Sequence, residues 1–72
     1  MNHPHFIICI DNVGWEDLQV RRLYQVVPDA ASEKHGMVRV IDDSGEDYLY
    51  PIKNFLEVPL PEPVEERLAA TA

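Results

Sequence analysis

The chain has 72 residues, six Lys+Arg and 13 Asp+Glu, for a formal charge of −7 with its three His neutral. That length allows one domain, and the 46% apolar and 26% charged balance is that of a folding chain rather than a disordered one. No apolar run approaches the roughly 20 residues of a membrane-spanning helix, and the acidic balance argues against a binder of nucleic-acid backbones.

A domain this small buries only about 60% of the surface its unfolded chain exposes, so such domains often need a staple. Cys9 is the one cysteine, which excludes an intramolecular disulfide. A lone thiol fits a reducing compartment, and the expected location is cytoplasmic. The first residues carry no basic and apolar pattern of a secretory signal. The expected core comes from packing, with self-association as a homodimer a further means of covering apolar surface.

Phe6 to Ile10 is a short apolar run rich in β-branched residues, and its length predicts a strand. It ends at the turn residues Asp11-Asn12-Val13-Gly14, and Trp15-Glu16-Asp17 continue that loop. Leu18 to Val27 reads as a second, twisted strand, with Val20, Tyr24 and Val26 on one face. Pro28 ends it. Asp29 to Gly36 reads either as about two helical turns or as an ordered loop, with Asp29 the N-cap and Gly36 the stop.

Met37 to Ile41 is the clearest strand, Asp42 to Asp47 the clearest turn, and Tyr48-Leu49-Tyr50 the return strand. A loop of Asp43-Ser44-Gly45, with Gly45 left-handed, places Val40 opposite Tyr48 and Val38 opposite Tyr50. A Ser44-Gly45 loop would instead oppose Val40 to Leu49. Pro51-Ile52-Lys53-Asn54 fits a single 3-10 turn, because Pro51 has no N–H for a central strand. Phe55 to Val58 resumes an extended segment. Pro59, Pro61 and Pro63 end it, and a short helix is expected from Glu62 to Ala70, with Val64 and Leu68 as its thin apolar stripe.

Five short strands, a long first loop, a tight hairpin and a 3-10 turn before the last strand make a small all-β barrel. The predicted organisation is a barrel over residues 1–60 and a Pro-led C-terminal tail or short helix over 61–72. The stretch Tyr50-Pro51-Ile52-Lys53-Asn54-Phe55-Leu56 resembles the segment that closes SH3-like barrels. The string Gly45-Glu46-Asp47-Tyr48-Leu49-Tyr50-Pro51, within Val38–Pro51, resembles a family of short bacterial proteins of unassigned function. In that family Leu18 and Leu23-Tyr24-Gln25-Val26 would match the second strand. The resemblance spans roughly residues 6 to 60. It implies a five-stranded SH3-like fold and brings no activity with it. Signalling SH3 domains bind proline-rich peptides through several aromatics on the first loop and following strands. Here that loop offers only Trp15, so this mode of binding is not carried over.

Four of the 13 acids lie between Asp42 and Asp47. Hard cations want several oxygens, but the spacing of a calcium-binding loop is absent, so a solvated turn is expected. His3, His5 and Cys9 form the one soft-ligand set. His5 and Cys9 are roughly 13 Å apart along a strand, too far to share one ion. Cys9 reads more simply as a small buried hydrophobe. Cys9, Ser32, Ser44 and Thr71 lack a His and carboxylate at a recognisable spacing. The expectation is therefore a protein that is not an enzyme and uses no cofactor or metal.

The preferred reading is an acidic module for protein–protein interaction or regulation, its partner unnamed. Trp15 is either a lid on the core or an exposed anchor, since Trp is enriched among interface hot spots. Tyr50 and Phe55 are candidate groove residues, and Val64 with Leu68 a second contact. The alternative is a nucleic-acid-associated barrel using Arg21, Arg22 and Tyr24, the one cationic–aromatic cluster. Adjacent arginines on a strand point to opposite faces, and together with the net charge this disfavours nucleic acid.

Overall fold

A computed structural model describes residues 5–71. Strand β1 (Phe6–Cys9) lies between β2 (Leu23–Gln25) and β5 (Phe55–Glu57), antiparallel to both. Its faces explain its composition: Ile7 and Cys9 point one way and are buried, while Phe6 is buried and Ile8 half-buried on the other, so it reads as an apolar run rather than an alternation. Phe6, Ile7 and Cys9 are all buried. A second sheet pairs β3 (Met37–Ile41) with β4 (Asp47–Pro51). The sheets touch at a bridge between Val26 and Val40, and the Val27 N–H donates to the Arg39 carbonyl at 2.8 Å. The protein is thus small and mostly strand, with a 3-10 turn at Ile52–Asn54, a one-turn helix α1 (Ala30–Glu33) and a short C-terminal helix α2 (Glu62–Ala70).

The hairpin follows the first of the two predicted registers. Val38 faces Tyr50, Val40 faces Tyr48, and Gly45 takes a φ of +87° in the loop. Pro51 ends β4 opposite Met37 rather than opening the 3-10 turn. β4 is an edge strand, so the missing N–H removes no ladder bond. Strand β5 likewise stops one residue short of the predicted Val58.

Ile7, Cys9, Leu18, Tyr24, Val38, Val40, Tyr50 and Phe55 form one core, contributed by both sheets and by the first loop. Three expectations need correction. The strand predicted for Leu18–Val27 is reduced to Leu23–Gln25, because Leu18 to Arg22 forms turns that drop Leu18 into the core at 1% exposure. Val20, assigned to the buried face, is exposed. The Asp29–Gly36 segment makes one helical turn: Asp29 caps it by accepting from the Ser32 N–H at 3.1 Å, and Gly36 has a φ of +75°. The segment has no apolar stripe to bury, so nothing extends the helix.

Helix α2 has the predicted bounds but turns a different face inward. Val64 and Leu68 stay exposed, while Glu65 is buried, its Oε2 3.5 Å from His5 Nδ1. The other ring nitrogen of His5 lies 3.1 Å from Glu57 Oε2. A polar tie to β5 and the start of β1, not the apolar stripe, orients this helix.

Arg21 has a φ of +70° and is the one non-glycine residue with positive φ among those described. Its N–H donates to the Cys9 carbonyl at 2.7 Å, so the turn into β2 requires that conformation. A left-handed L-residue costs about 1–2 kcal/mol, and glycine relieves this while adding about 0.5–1 kcal/mol of chain entropy. Arg21→Gly is expected to raise the unfolding free energy by up to about 1 kcal/mol in a urea titration; a loss would show that the arginine side chain itself stabilises the turn.

Candidate docking site around Trp15

The β1–β2 loop is built by its own short-range bonds. Asp11 Oδ1 accepts from the Val13 N–H at 3.0 Å, and the Asn12 carbonyl accepts from the Trp15 N–H at 2.9 Å. Asn12 Nδ2 reaches across to the Leu18 carbonyl at 2.9 Å, closing the loop from within. The Asp43 N–H donates to the Asp17 carbonyl at 2.9 Å, which ties the loop to the β3–β4 hairpin. Leu18 points inward from this loop and Trp15 lies across it.

Trp15 combines the two roles considered for it. Its ring stands edge-on to Tyr50, with centroids 5.3 Å apart and planes at 86°, yet 39% of the residue is exposed. Tyr50 contacts Phe55, and Phe55 contacts Tyr24, each at 6.4 Å, so a chain of perpendicular rings runs from the surface into the core. Trp15 is therefore an exposed aromatic on a rigid aromatic floor. Its position costs little further entropy on binding.

Two open grooves flank Trp15. One, of about 510 Å³, runs along Asn12, Gly14, Glu16 and Asp17. The other, of about 280 Å³, lies between Trp15 and the hairpin and includes Asp17, Asp42, Glu46 and Tyr48. Both are lined by carboxylates, and neither is lined by a Lys or Arg. The described ion pairs of Arg22 and Arg39 lie elsewhere, on Asp43, Asp29 and Asp47. Partial burial raises the Asp17 carboxyl above its ordinary value, and the like charges of Asp42, Glu16 and Asp43 raise it further. Among the described residues the surroundings of Trp15 therefore lack a positive charge that the side chain and its acidic neighbours would all favour.

Within the acidic cluster Asp43 to Asp47 are exposed, as expected of a solvated turn, and Asp42 alone departs from that expectation as the structural centre of the hairpin. It is 5% exposed and accepts from the Ser44 N–H at 2.9 Å, the Ser44 hydroxyl at 2.5 Å and the Tyr50 hydroxyl at 2.5 Å. Burial pushes its carboxyl up, but the hydrogen bonds from Ser44 and Tyr50 outweigh this and hold it below the usual range. The same arrangement raises Tyr50 far above an ordinary phenol, first by burial and then by the adjacent carboxylate. Asp43 is also engaged: it accepts from the Tyr24 hydroxyl at 3.1 Å and from Gln19 Nε2 at 3.0 Å. Among the described residues no group of three or more His, Cys, Asp or Glu side chains could hold a metal ion.

The other candidate residues separate. Tyr50 forms the floor beneath Trp15, whereas Phe55 is 7% exposed, belongs to the core and borders a separate groove with Ile7, Val26, Val38 and Leu56 rather than either groove beside Trp15. Val64 and Leu68 line neither Trp15 groove. Leu68 borders a separate groove with Phe6 and Arg22. Arg21 lies in a turn, Arg22 sits 3.4 Å from Asp43, and Tyr24 is buried with its phenol pushed up to about 12, mainly by burial. These three do not form one exposed stacking surface. Cys9 is fully buried, and burial raises its thiol, which makes it a packing residue with little thiolate character. His3 lies outside the described residues.

Asp17, Glu46 and Tyr48 join the site without having been singled out from the sequence. The signal for one link was present. In the predicted register the even residues Val38, Val40 and Asp42 share a face with Tyr48 and Tyr50, which already brings Asp42 toward the Tyr50 hydroxyl. Among the described residues no helix is long and apolar enough to cross a membrane. No family model, curated protein or solved structure matches this chain.

Proposed function

We propose that this chain is an SH3-like barrel serving as a protein-interaction module, and that it docks a basic segment of another protein at Trp15. The observation that carries the reading is an exposed tryptophan held edge-on by Tyr50, between two grooves lined by acids and by no cation. A Lys or Arg side chain placed there meets the ring face and the carboxylates together, and cation–π attraction contributes about 0.5–2 kcal/mol at such sites. The barrel reading is supported by the strand order: β5-β1-β2 continues through the Val26–Val40 bridge into β3-β4, with a 3-10 turn between β4 and β5. The Gly45–Pro51 string of the short bacterial family falls in the loop and return strand of that hairpin. The reading involves no catalysis and no cofactor.

Trp15 is the single tryptophan, so its emission reports docking directly. An arginine-rich peptide is expected to shift that emission with a Kd of roughly 10–100 μM at low salt, weakening as salt is added. By calorimetry, Trp15→Ala and Asp17→Asn should each weaken binding about tenfold or more. The pH dependence has a definite sign. Asp17 is raised, so its charge is lost early on acidification, and affinity falls from above the ordinary Asp range downward. Equal affinity for an acidic control peptide, or binding unchanged in Trp15→Ala, would refute the proposal.

A further inference from the structure

The groove between Trp15 and the hairpin touches Tyr48, Leu49 and Tyr50 in succession. Successive residues of a strand point to opposite faces. A groove that meets three in a row therefore lies along the strand's edge, where the backbone is reached, and not over one face.

The backbone of that edge is open. The Asp42 N–H donates to the Glu46 carbonyl at 3.0 Å, and the Ile52 N–H to the Gly36 carbonyl at 2.9 Å, which brackets the hairpin with two hydrogen-bonded rungs. Alternating inward from them, Val40–Tyr48 and Val38–Tyr50 are the hydrogen-bonded pairs, and Arg39–Leu49 and Ile41–Asp47 are not. The Arg39 carbonyl agrees, since it is taken from the other side by the Val27 N–H. Tyr48 and Tyr50 thus spend their amides on β3. Asp47 and Leu49 turn their N–H and C=O groups outward, and among the described residues no strand pairs with that side. Pro51 lacks an N–H, so the open stretch ends there.

We infer that the basic partner segment binds in extended form, adding as a strand to the free edge of β4 at Asp47–Leu49 while its cationic side chains reach Trp15, Asp17 and Glu46. This rests on the docking reading above and specifies its geometry. Main-chain bonds to Leu49 supply register, and the acids with the aromatic ring select positive side chains, as in other strand-addition complexes. Charge chooses this occupant over a second copy. Two copies would each bring −7, and a symmetric pairing centred on Leu49 would set Asp47 against Pro51, which cannot return one of the two bonds.

The test leaves the protein unaltered, so folding is not in question. The probe is a synthetic peptide of alternating Arg and Val, with two further versions N-methylated on alternate sets of amides. Strand addition predicts that one N-methylated version loses affinity by about tenfold or more and the other does not. It also predicts that Leu49 amide hydrogen exchange slows about tenfold at about 90% saturation. If both versions bind alike and Leu49 exchange is unchanged while Trp15 emission still shifts, strand addition is overturned and docking at Trp15 survives. If no version shifts Trp15 emission, both fail. If Leu49 becomes protected without peptide as protein concentration rises, the edge takes a second copy and the proposed occupant is wrong.

Discussion

Leu18→Ala is expected to lower the unfolding free energy by about 3–4 kcal/mol, within the roughly 2–5 kcal/mol span of buried Leu→Ala changes. Leu18 sits in no strand or helix, yet at 1% exposure it is among the most completely buried side chains of the protein. Small domains have stabilities of about 0.05–0.15 kcal/mol per residue, so this loss removes a large part of what holds the chain folded. The cavity would open beneath the first loop, where the Leu18 N–H donates to the Trp15 carbonyl at 3.3 Å. The Trp15 ring should therefore loosen as well, with its emission moving to the red in the folded variant. Urea unfolding followed by circular dichroism gives the first quantity and fluorescence the second. A loss below about 1 kcal/mol would mean that the loop contributes little to the core.

Asp42→Ala comes next, at about 3 kcal/mol, since hydrogen bonds to a charged group contribute about 1.5–3 kcal/mol and a buried unpaired hydroxyl adds its own penalty. The change removes the acceptor for the Tyr50 hydroxyl, the Ser44 hydroxyl and the Ser44 N–H. Asp42→Asn keeps one acceptor oxygen and can present its amide to the Tyr50 oxygen, so about 1–2 kcal/mol is expected there. The wild-type pH dependence has a fixed direction. The folded-state carboxyl is depressed, so its contribution is fully present above the unfolded-state value and is lost as pH falls through the folded-state value. Asp29 is also depressed, by bonds from the Ser32 N–H and hydroxyl and from Arg39, and acts in the same direction. Asp42→Asn should flatten the acid limb of stability against pH. An unchanged acid limb would show that Asp42 titrates alike in both states.

These two residues mark where local reading stops, and the elements around them show where it succeeds. The hairpin register was legible because its turn chemistry is local: Gly45 supplies the left-handed position, and the β-branched and aromatic residues then pair. The helix at Glu62–Ala70 was legible for a similar reason, from the prolines before it and the acids in its first turn. Leu18 was assigned to a strand because its neighbours alternate plausibly. What decided against it was side-chain bonding across the loop, with Asn12 Nδ2 on its carbonyl and the Tyr24 hydroxyl accepting from the Gln19 N–H at 2.7 Å, and the long-range tie of the Asp43 N–H to the Asp17 carbonyl. Alternation in a short segment cannot register such bonds.

The docking site divides in the same way. Trp15 was identifiable as an odd residue in a polar loop, with Glu16 and Asp17 beside it in sequence, whereas the hairpin acids Asp42 and Glu46 meet it only after folding. The acids of the hairpin differ from one another for tertiary reasons. Asp42 is buried under hydrogen bonds, Asp43 is shared by Tyr24, Gln19 and Arg22, Asp47 pairs with Arg39, and Glu46 borders the groove. The sequence by itself determined the strand-rich class, the hairpin register, the helix at Glu62–Ala70 and the burial of Cys9, because turn residues, prolines and apolar runs act over a few residues. The tertiary structure decided which acids are structural, that Glu65 rather than Val64 or Leu68 faces inward, and that the edge of β4 lies open beside Trp15. Each of these depends on which distant groups arrive to accept a proton, exclude water or leave a backbone amide unpaired.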